Sequence, residues 1–238
     1  MAELIADVRA ETVRANLDLI REEITSAVAR SPVERPPGEA GGVQVLAATK
    51  YVRSEDLPAL AAGGVGLVGE NRAQDLEQKV AAHGELFEWD FIGQLQSRRV
   101  RLIVPHVRLI HSVASESALR ELERHRELAR PALGILVQVN LAGEAGKSGV
   151  APEELDSFIA RSPLPVAGLM MMPPFAADPQ ASRPWFAALR ELARERGLEQ
   201  LSMGTSQDYL VAAEEGATIV RIGTKLYHPG SQSDGPSD

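Results

Sequence analysis

The chain has 238 residues, with 25 Lys and Arg against 33 Asp and Glu and a formal net charge of −8. That balance argues against a general nucleic-acid binder, which needs a basic face to displace counterions. There is no cysteine, which excludes disulfides, zinc–thiolate sites and thiol nucleophiles, and no apolar run approaches the ~18–20 residues of a membrane span. The first residues are charged throughout and lack the apolar stretch of a signal peptide, so a cytoplasmic location is expected.

Leu4, Ile5, Val8, Val13, Leu17, Ile20, Ile24 and Val28 recur at spacings mostly close to three and four with charges between them, which predicts an amphipathic helix over 2–29. Residues 31–42 hold three prolines and three glycines and read as a loop. From 43 onward strand and helix patterns alternate. Strands are expected at 43–49, 65–69, 89–93, 109–113, 134–141, 166–172, 200–203 and 218–222, and helices at 54–62, 72–82, 97–104, 116–130, 152–161, 179–196 and 207–215. Asp178-Pro179 and Pro152 carry helix-start signals, Ser206 is the expected N-cap of the last helix, and Gly197 and Gly216 sit where helices end.

Eight strands joined by helices are what a (β/α)8 TIM barrel requires, the opening helix standing in for the missing eighth. An open doubly wound sheet is the rival, but no point is evident where its strand order would reverse. The expected organisation is a helix at 1–30 packed on the barrel, a loop at 31–42, one barrel at 43–228 and a flexible tail at 229–238.

The strand at 43–49 is a buried apolar run that breaks off at Lys50. Strand C-terminal ends form the rim where α/β folds place their chemistry. Several other motifs carry less. Gly64-Val65-Gly66-Leu67-Val68-Gly69 has dinucleotide-loop spacing, but it follows a helix and runs through a strand, so it reads as a turn. His83, His106, His111, His125 and His228 show no helical metal-ligand spacing, so no metal is expected and they read as surface or outer-shell residues. Gln96–Arg101 is a basic cluster, either a solvated helix face or an aid to an anionic ligand.

Two late segments point to an anion. Leu201-Ser202-Met203-Gly204-Thr205-Ser206 follows the seventh strand and Arg221-Ile222-Gly223-Thr224 ends the eighth, where barrels build their phosphate sites from hydroxyls, glycines and backbone N–H groups. A lysine forms an imine only as the neutral amine, and desolvation at the rim with the charge of Arg221 would favour that form. Lysine, phosphate cup and arginine on one rim suggest pyridoxal 5′-phosphate (PLP) held as a Schiff base.

The motifs Ala47-Ala48-Thr49-Lys50, Gly69-Glu70-Asn71, Phe91-Ile92-Gly93 with Leu95-Gln96, Gln138-Val139-Asn140, Lys147-Ser148-Gly149, Gly168-Leu169-Met170, Leu201-Ser202-Met203-Gly204 and Arg221-Ile222-Gly223-Thr224 occur together and in order. As a set they resemble the pyridoxal-phosphate homeostasis proteins, which share the barrel of the alanine racemase N-terminal domain. The resemblance implies that Lys50 forms the Schiff base and Asn71 sits near the ring's edge. It places Ser206, Gly223 and Thr224 on the phosphate, with Ser202 and Met203 lining the same cup, and Arg221 on the pyridine side. Lys147 is either a second amine near the site or a loop lysine. The chain departs from the family pattern at Val52, where a lysine is common, at Arg72, at Asp90, where histidine is common, and at Arg98-Arg99.

An arginine beside the pyridine nitrogen weakens the ring as an electron sink. Racemases take their second base from an additional β domain, which is not expected here, with 14 residues following Thr224. The resemblance therefore implies a monomeric PLP binder without catalytic residues, serving cofactor storage and delivery with apo-enzymes as recipients. A small PLP enzyme using Tyr51 as second base, such as a weak amino-acid racemase, is the alternative. An aldolase-like barrel using Lys50 on a sugar is a third reading.

Overall fold

The computed structural model describes residues 5, 7–33, 42–144 and 146–228. Most of the expected loop at 31–42 and the whole tail at 229–238 lie outside the described residues.

Eight parallel strands close into a barrel in sequence order. They are β1 Gln44–Ala48, β2 Leu67–Glu70, β3 Glu88–Phe91, β4 Leu109–Val113, β5 Gly134–Gln138, β6 Val166–Met170, β7 Gln200–Thr205 and β8 Ile219–Ile222. β1 pairs with both β2 and β8, which settles the choice between barrel and open sheet. The helices are α1 Ala10–Arg30, α2 Leu57–Ala62, α3 Ala73–His83, α4 Val100–Ile103, α5 Glu116–Arg124, α6 Leu155–Ala160, α7 Arg183–Glu195 and α8 Tyr209–Glu214. α1 buries Val13, Leu17, Ile20, Ile24 and Ala27 and lies against α8 and α2, closing the ring of helices as the sequence pattern implies.

Several expected boundaries move for local reasons. The first helix starts at Ala10, because Asp7 takes a left-handed φ of 57° and ends the periodicity there. Before it, Ile5 bridges to Val52, its N–H donating to the Tyr51 carbonyl at 2.7 Å. The helices expected from 54, 97, 152 and 179 each open with a 3-10 turn. β6 stops at Met170, short of Pro173-Pro174, whose nitrogens cannot donate to a ladder.

Side chains alternate across each strand. Outward residues join the main core between strands and helices. Inward, Leu46, Leu109 and Ile219 pack with Leu67, Ile92 and Ala167 as an apolar layer. Above that layer the inward positions turn polar, with Asp90, His111, Ser202 and Arg221 all buried.

Candidate functional site

A cavity of about 430 Å³ opens at the C-terminal ends of the strands. Lys50, Asn71, Ser206, Arg221, Gly223 and Thr224 all line it, so tertiary folding brings six of the eight sequence-predicted site residues together. Inward alternation along 46, 48 and 50 carries Lys50 onto the cavity face. Its side chain is exposed, not desolvated as the sequence reading supposed. Its Nζ lies 4.8 Å from the centre of the Tyr51 ring, which also lines the cavity.

Ser202 and Met203 are the two that do not line the cavity. Alternation along β7 turns Met203 outward into the fully buried core. Ser202 points inward but sits one layer lower, where its hydroxyl and carbonyl oxygens accept from Arg221 Nη1 at 2.6 and 2.8 Å. Ser206 is not the N-cap of α8. Asp208 is, by backbone position and without a side-chain capping bond; its Oδ1 instead accepts from the Thr205 N–H at 2.8 Å, while Ser206 Oγ accepts from the Gly223 N–H at 3.2 Å. That bond ties the β7 and β8 turns together at the cavity wall.

Arg221 forms the floor. Its second amino group donates to the Met171 carbonyl at 3.1 Å. Burial lowers its pKa to about 10, with the charge of Asp208 opposing, so it remains a cation at neutral pH.

The strand ends are held from outside the barrel by a pair the sequence reading missed. Lys79 of α3 reaches Glu70 Oε1 at 2.5 Å and the Thr49 carbonyl at 2.8 Å, with Lys79 and Glu70 both buried. Glu70 also accepts from Thr49 Oγ1 at 2.7 Å and from the Asn71 N–H at 3.2 Å. A usable signal existed, since Lys79 falls on the apolar face of α3 with Ala73 and Leu76. His111, read as a surface or outer residue, is fully buried at the barrel centre.

Ile92 and Gly93 also line the cavity, whereas Lys147, Arg98, Arg72 and Gly64 do not. Lys147 is exposed and paired with Glu144 at 2.6 Å. Arg98 contacts Gln96 at 3.4 Å within its own turn. Arg72 is exposed at the N-cap of α3. Gly64 forms the turn that follows α2, with φ 91°, as the turn reading of the glycine motif expects.

Two features mark the cavity as built for a ligand. Asn71 Oδ1 is buried without a hydrogen-bond partner among the described residues, a cost a binder accepts when a ligand supplies the partner. A Cβ placed on Gly223 would meet nothing within 4 Å, leaving open space beside Ser206 and Thr224. An amine, a cation and hydroxyl-lined space suit a small molecule bearing a carbonyl and an anionic group.

Residues 54–229 match the family described as alanine racemase, N-terminal domain. The chain is 40% identical over 195 residues to the pyridoxal phosphate homeostasis protein of Aquifex aeolicus (strain VF5), covering 77% of this chain and 86% of that one. Among solved structures, PipY of Synechococcus elongatus PCC7942, a COG0325 family member with PLP bound, matches with a TM-score of 0.73 and 30% identity over 91% of this chain and 100% of that one. A protein from Bifidobacterium adolescentis matches with a TM-score of 0.81 and 29% identity, covering 95% and 98%.

Proposed function

Since the chain belongs to the pyridoxal phosphate homeostasis protein family and carries an alanine racemase N-terminal domain, we propose that it holds PLP as a Schiff base on Lys50 and serves intracellular PLP homeostasis, storing the cofactor and delivering it to apo-enzymes without turning over a substrate. The observation that carries this reading is the convergence of Lys50, Ser206, Gly223, Thr224, Arg221 and Asn71 on one cavity, at spacings of up to 174 positions along the chain.

When bound, PLP supplies an aldehyde carbon and an electron-withdrawing ring. Lys50, which lines the cavity, would present its amine to that carbon as the covalent tether. Ser206 and Thr224 present hydroxyls to the phosphate, and Gly223 leaves the space it fills. Asn71 offers its unpartnered oxygen to a donor at the ring's edge. Arg221, a buried cation in the floor, disfavours a proton on a ring nitrogen set against it. That arrangement works against transamination and decarboxylation, whereas racemisation tolerates such a ring and would turn on a second base, for which Tyr51 is the candidate in the cavity. Tyr227, whose hydroxyl donates to the Ala48 carbonyl at 3.0 Å and whose pKa burial raises, is poorly suited to serve as a base.

Absorbance spectroscopy tests the tether. Adding PLP to the purified protein should raise a visible band that Lys50→Ala lacks. A protein that stays colourless with excess PLP, or a Lys50→Ala variant that keeps the band, ends this reading. Incubation of the loaded protein with a panel of amino acids tests the second half, and steady turnover of any of them would make it an enzyme.

A further inference from the structure

Beneath the cavity a line of hydrogen bonds crosses the barrel interior. Arg221 Nη1 on β8 meets Ser202 Oγ on β7 at 2.6 Å, and Ser202 Oγ meets His111 Nδ1 on β4 at 2.8 Å. His111 Nε2 meets Asp90 Oδ2 on β3 at 3.0 Å. The Asp90 carboxylate then takes Nε and Nη2 of Arg108 at 3.0 and 3.1 Å, and Arg108 Nη2 also reaches Gln44 Oε1 at 2.9 Å. Arg108 is 26% exposed, whereas the Asp90 and His111 side chains are wholly buried. The line therefore runs from the solvent-facing N-terminal end of the barrel to the cavity floor.

Its ends dictate the hydrogens between them. A guanidinium only donates and a carboxylate only accepts. Ser202 Oγ must accept from Arg221, and His111 must give Asp90 its Nε2 hydrogen. Neutral His111 then has a lone pair on Nδ1, the acceptor that the Ser202 hydroxyl hydrogen needs. Burial and the nearby Arg221 and Arg108 charges hold His111 neutral against the pull of Asp90. Were position 90 an amide, its oxygen would stay with Arg108 and its N–H would face His111 Nε2. The imidazole would have to move its hydrogen to Nδ1, the switch of tautomer that a carboxylate-to-amide change causes in hydrolase triads. Ser202 would then face donors on both sides, with no acceptor for its own hydrogen.

We propose that Asp90 is a positioning residue for the cavity: it holds His111 as the Nε2–H tautomer, so that Ser202 presents an accepting oxygen to Arg221 and the guanidinium is fixed in the cavity floor. The sequence reading marked Asp90 only as a departure from the family pattern. Its consequence for PLP rests on the function proposed above, whereas the tautomer and the fixed guanidinium do not.

Nitrogen-15 NMR of the cofactor-free protein, labelled at histidine and arginine, reads both. Wild type should carry the His111 hydrogen on Nε2 and show slowly exchanging Arg221 guanidinium protons. Asp90→Asn should move the hydrogen to Nδ1 and speed that exchange, and its PLP affinity should fall roughly tenfold, the worth of one hydrogen bond to a charged group. Ser202→Ala, which leaves the Asp90–His111 pair intact, should keep the Nε2 tautomer yet release Arg221 equally, and the double variant should be no worse than Ser202→Ala alone. An Nδ1 hydrogen in wild type, an unchanged tautomer in Asp90→Asn, or additive losses in the double variant would overturn the proposal. If Asp90→Asn does not fold, the wild-type tautomer and the Arg221 exchange in Ser202→Ala still decide it. Absence of PLP binding in wild type would sink the proposed function but leave the NMR result to stand by itself.

Discussion

Lys79 donates to the Thr49 carbonyl from outside the barrel at 2.8 Å, so the residue before the proposed tether hangs on a second, buried lysine. The same ammonium pairs with Glu70, and Glu70 receives the Asn71 N–H. One ion pair thus sets the ends of both β1 and β2 at the cavity.

Breaking one side of that pair strands the other as an uncompensated buried charge. Lys79→Met should cost about 3–5 kcal/mol of stability, measured by urea unfolding, and should weaken PLP binding as well. Combining it with Glu70→Gln removes both charges and should recover most of the loss. A single-variant loss below about 1 kcal/mol would mean that the pair is not a structural keystone.

Two glycines in the cavity wall should respond oppositely. A Cβ on Gly93 would lie 2.0 Å from the Asn71 carbonyl oxygen and 2.5 Å from its Cα, backbone that cannot swing aside. Gly93→Ala should therefore destabilise the fold by about 1–3 kcal/mol and shift Asn71. Gly223→Ala meets open space, so thermal unfolding should move by less than about 1 kcal/mol while PLP affinity drops, because the methyl occupies the volume assigned to the phosphate. Equal melting losses in the two variants would contradict this division.

Stability should fall on acidification through the histidine range. The His111 pKa is lowered in the folded state, mainly by burial, with Asp90 opposing, and that of His106 is lowered by burial with Glu77 opposing. The unfolded chain binds protons near pH ~6.5 that the folded chain refuses. Stability contributed by the neutral imidazoles is therefore present above that pH and lost below it, until the folded pKa is reached. Urea unfolding at steps between pH 7.5 and 5.5 should show a slope of at most about 1.4 kcal/mol per unit for each such histidine. Replacing His111 with Gln should flatten it, and an unchanged slope would place the effect elsewhere.

Val52 is 2% exposed and bridged to Ile5, so it cannot simply be exchanged for the lysine common in the family. Val52→Lys should cost about 1–3 kcal/mol, from lost apolar burial and from the ammonium it brings. It should also speed amide hydrogen exchange at Ile5, whose N–H bonds the Tyr51 carbonyl. Slow exchange at Ile5 in the variant would show the bridge to be independent of Val52.

Alternating apolar runs and the intervening helical periods were enough to anticipate all eight strands, because burial on both faces of a parallel strand leaves its mark within a few residues. Lys50, Ser206, Gly223 and Thr224 could be placed at the rim for the same reason, as polar residues and a glycine standing where such runs stop. Local periodicity could not supply depth. Met203 and Ser202 stand beside the same turn in sequence, yet alternation sends one into the core and leaves the other a layer below the cavity.

What the sequence determined by itself is the barrel and which residue types stand at its rim, since both follow from short-range pattern and residue type. The polar line from Arg108 to Arg221 and the Lys79–Glu70 support were decided only by the tertiary structure. They join residues up to 91 positions apart, and which of those meet depends on barrel closure, strand register and layer. Those are properties of all eight strands together.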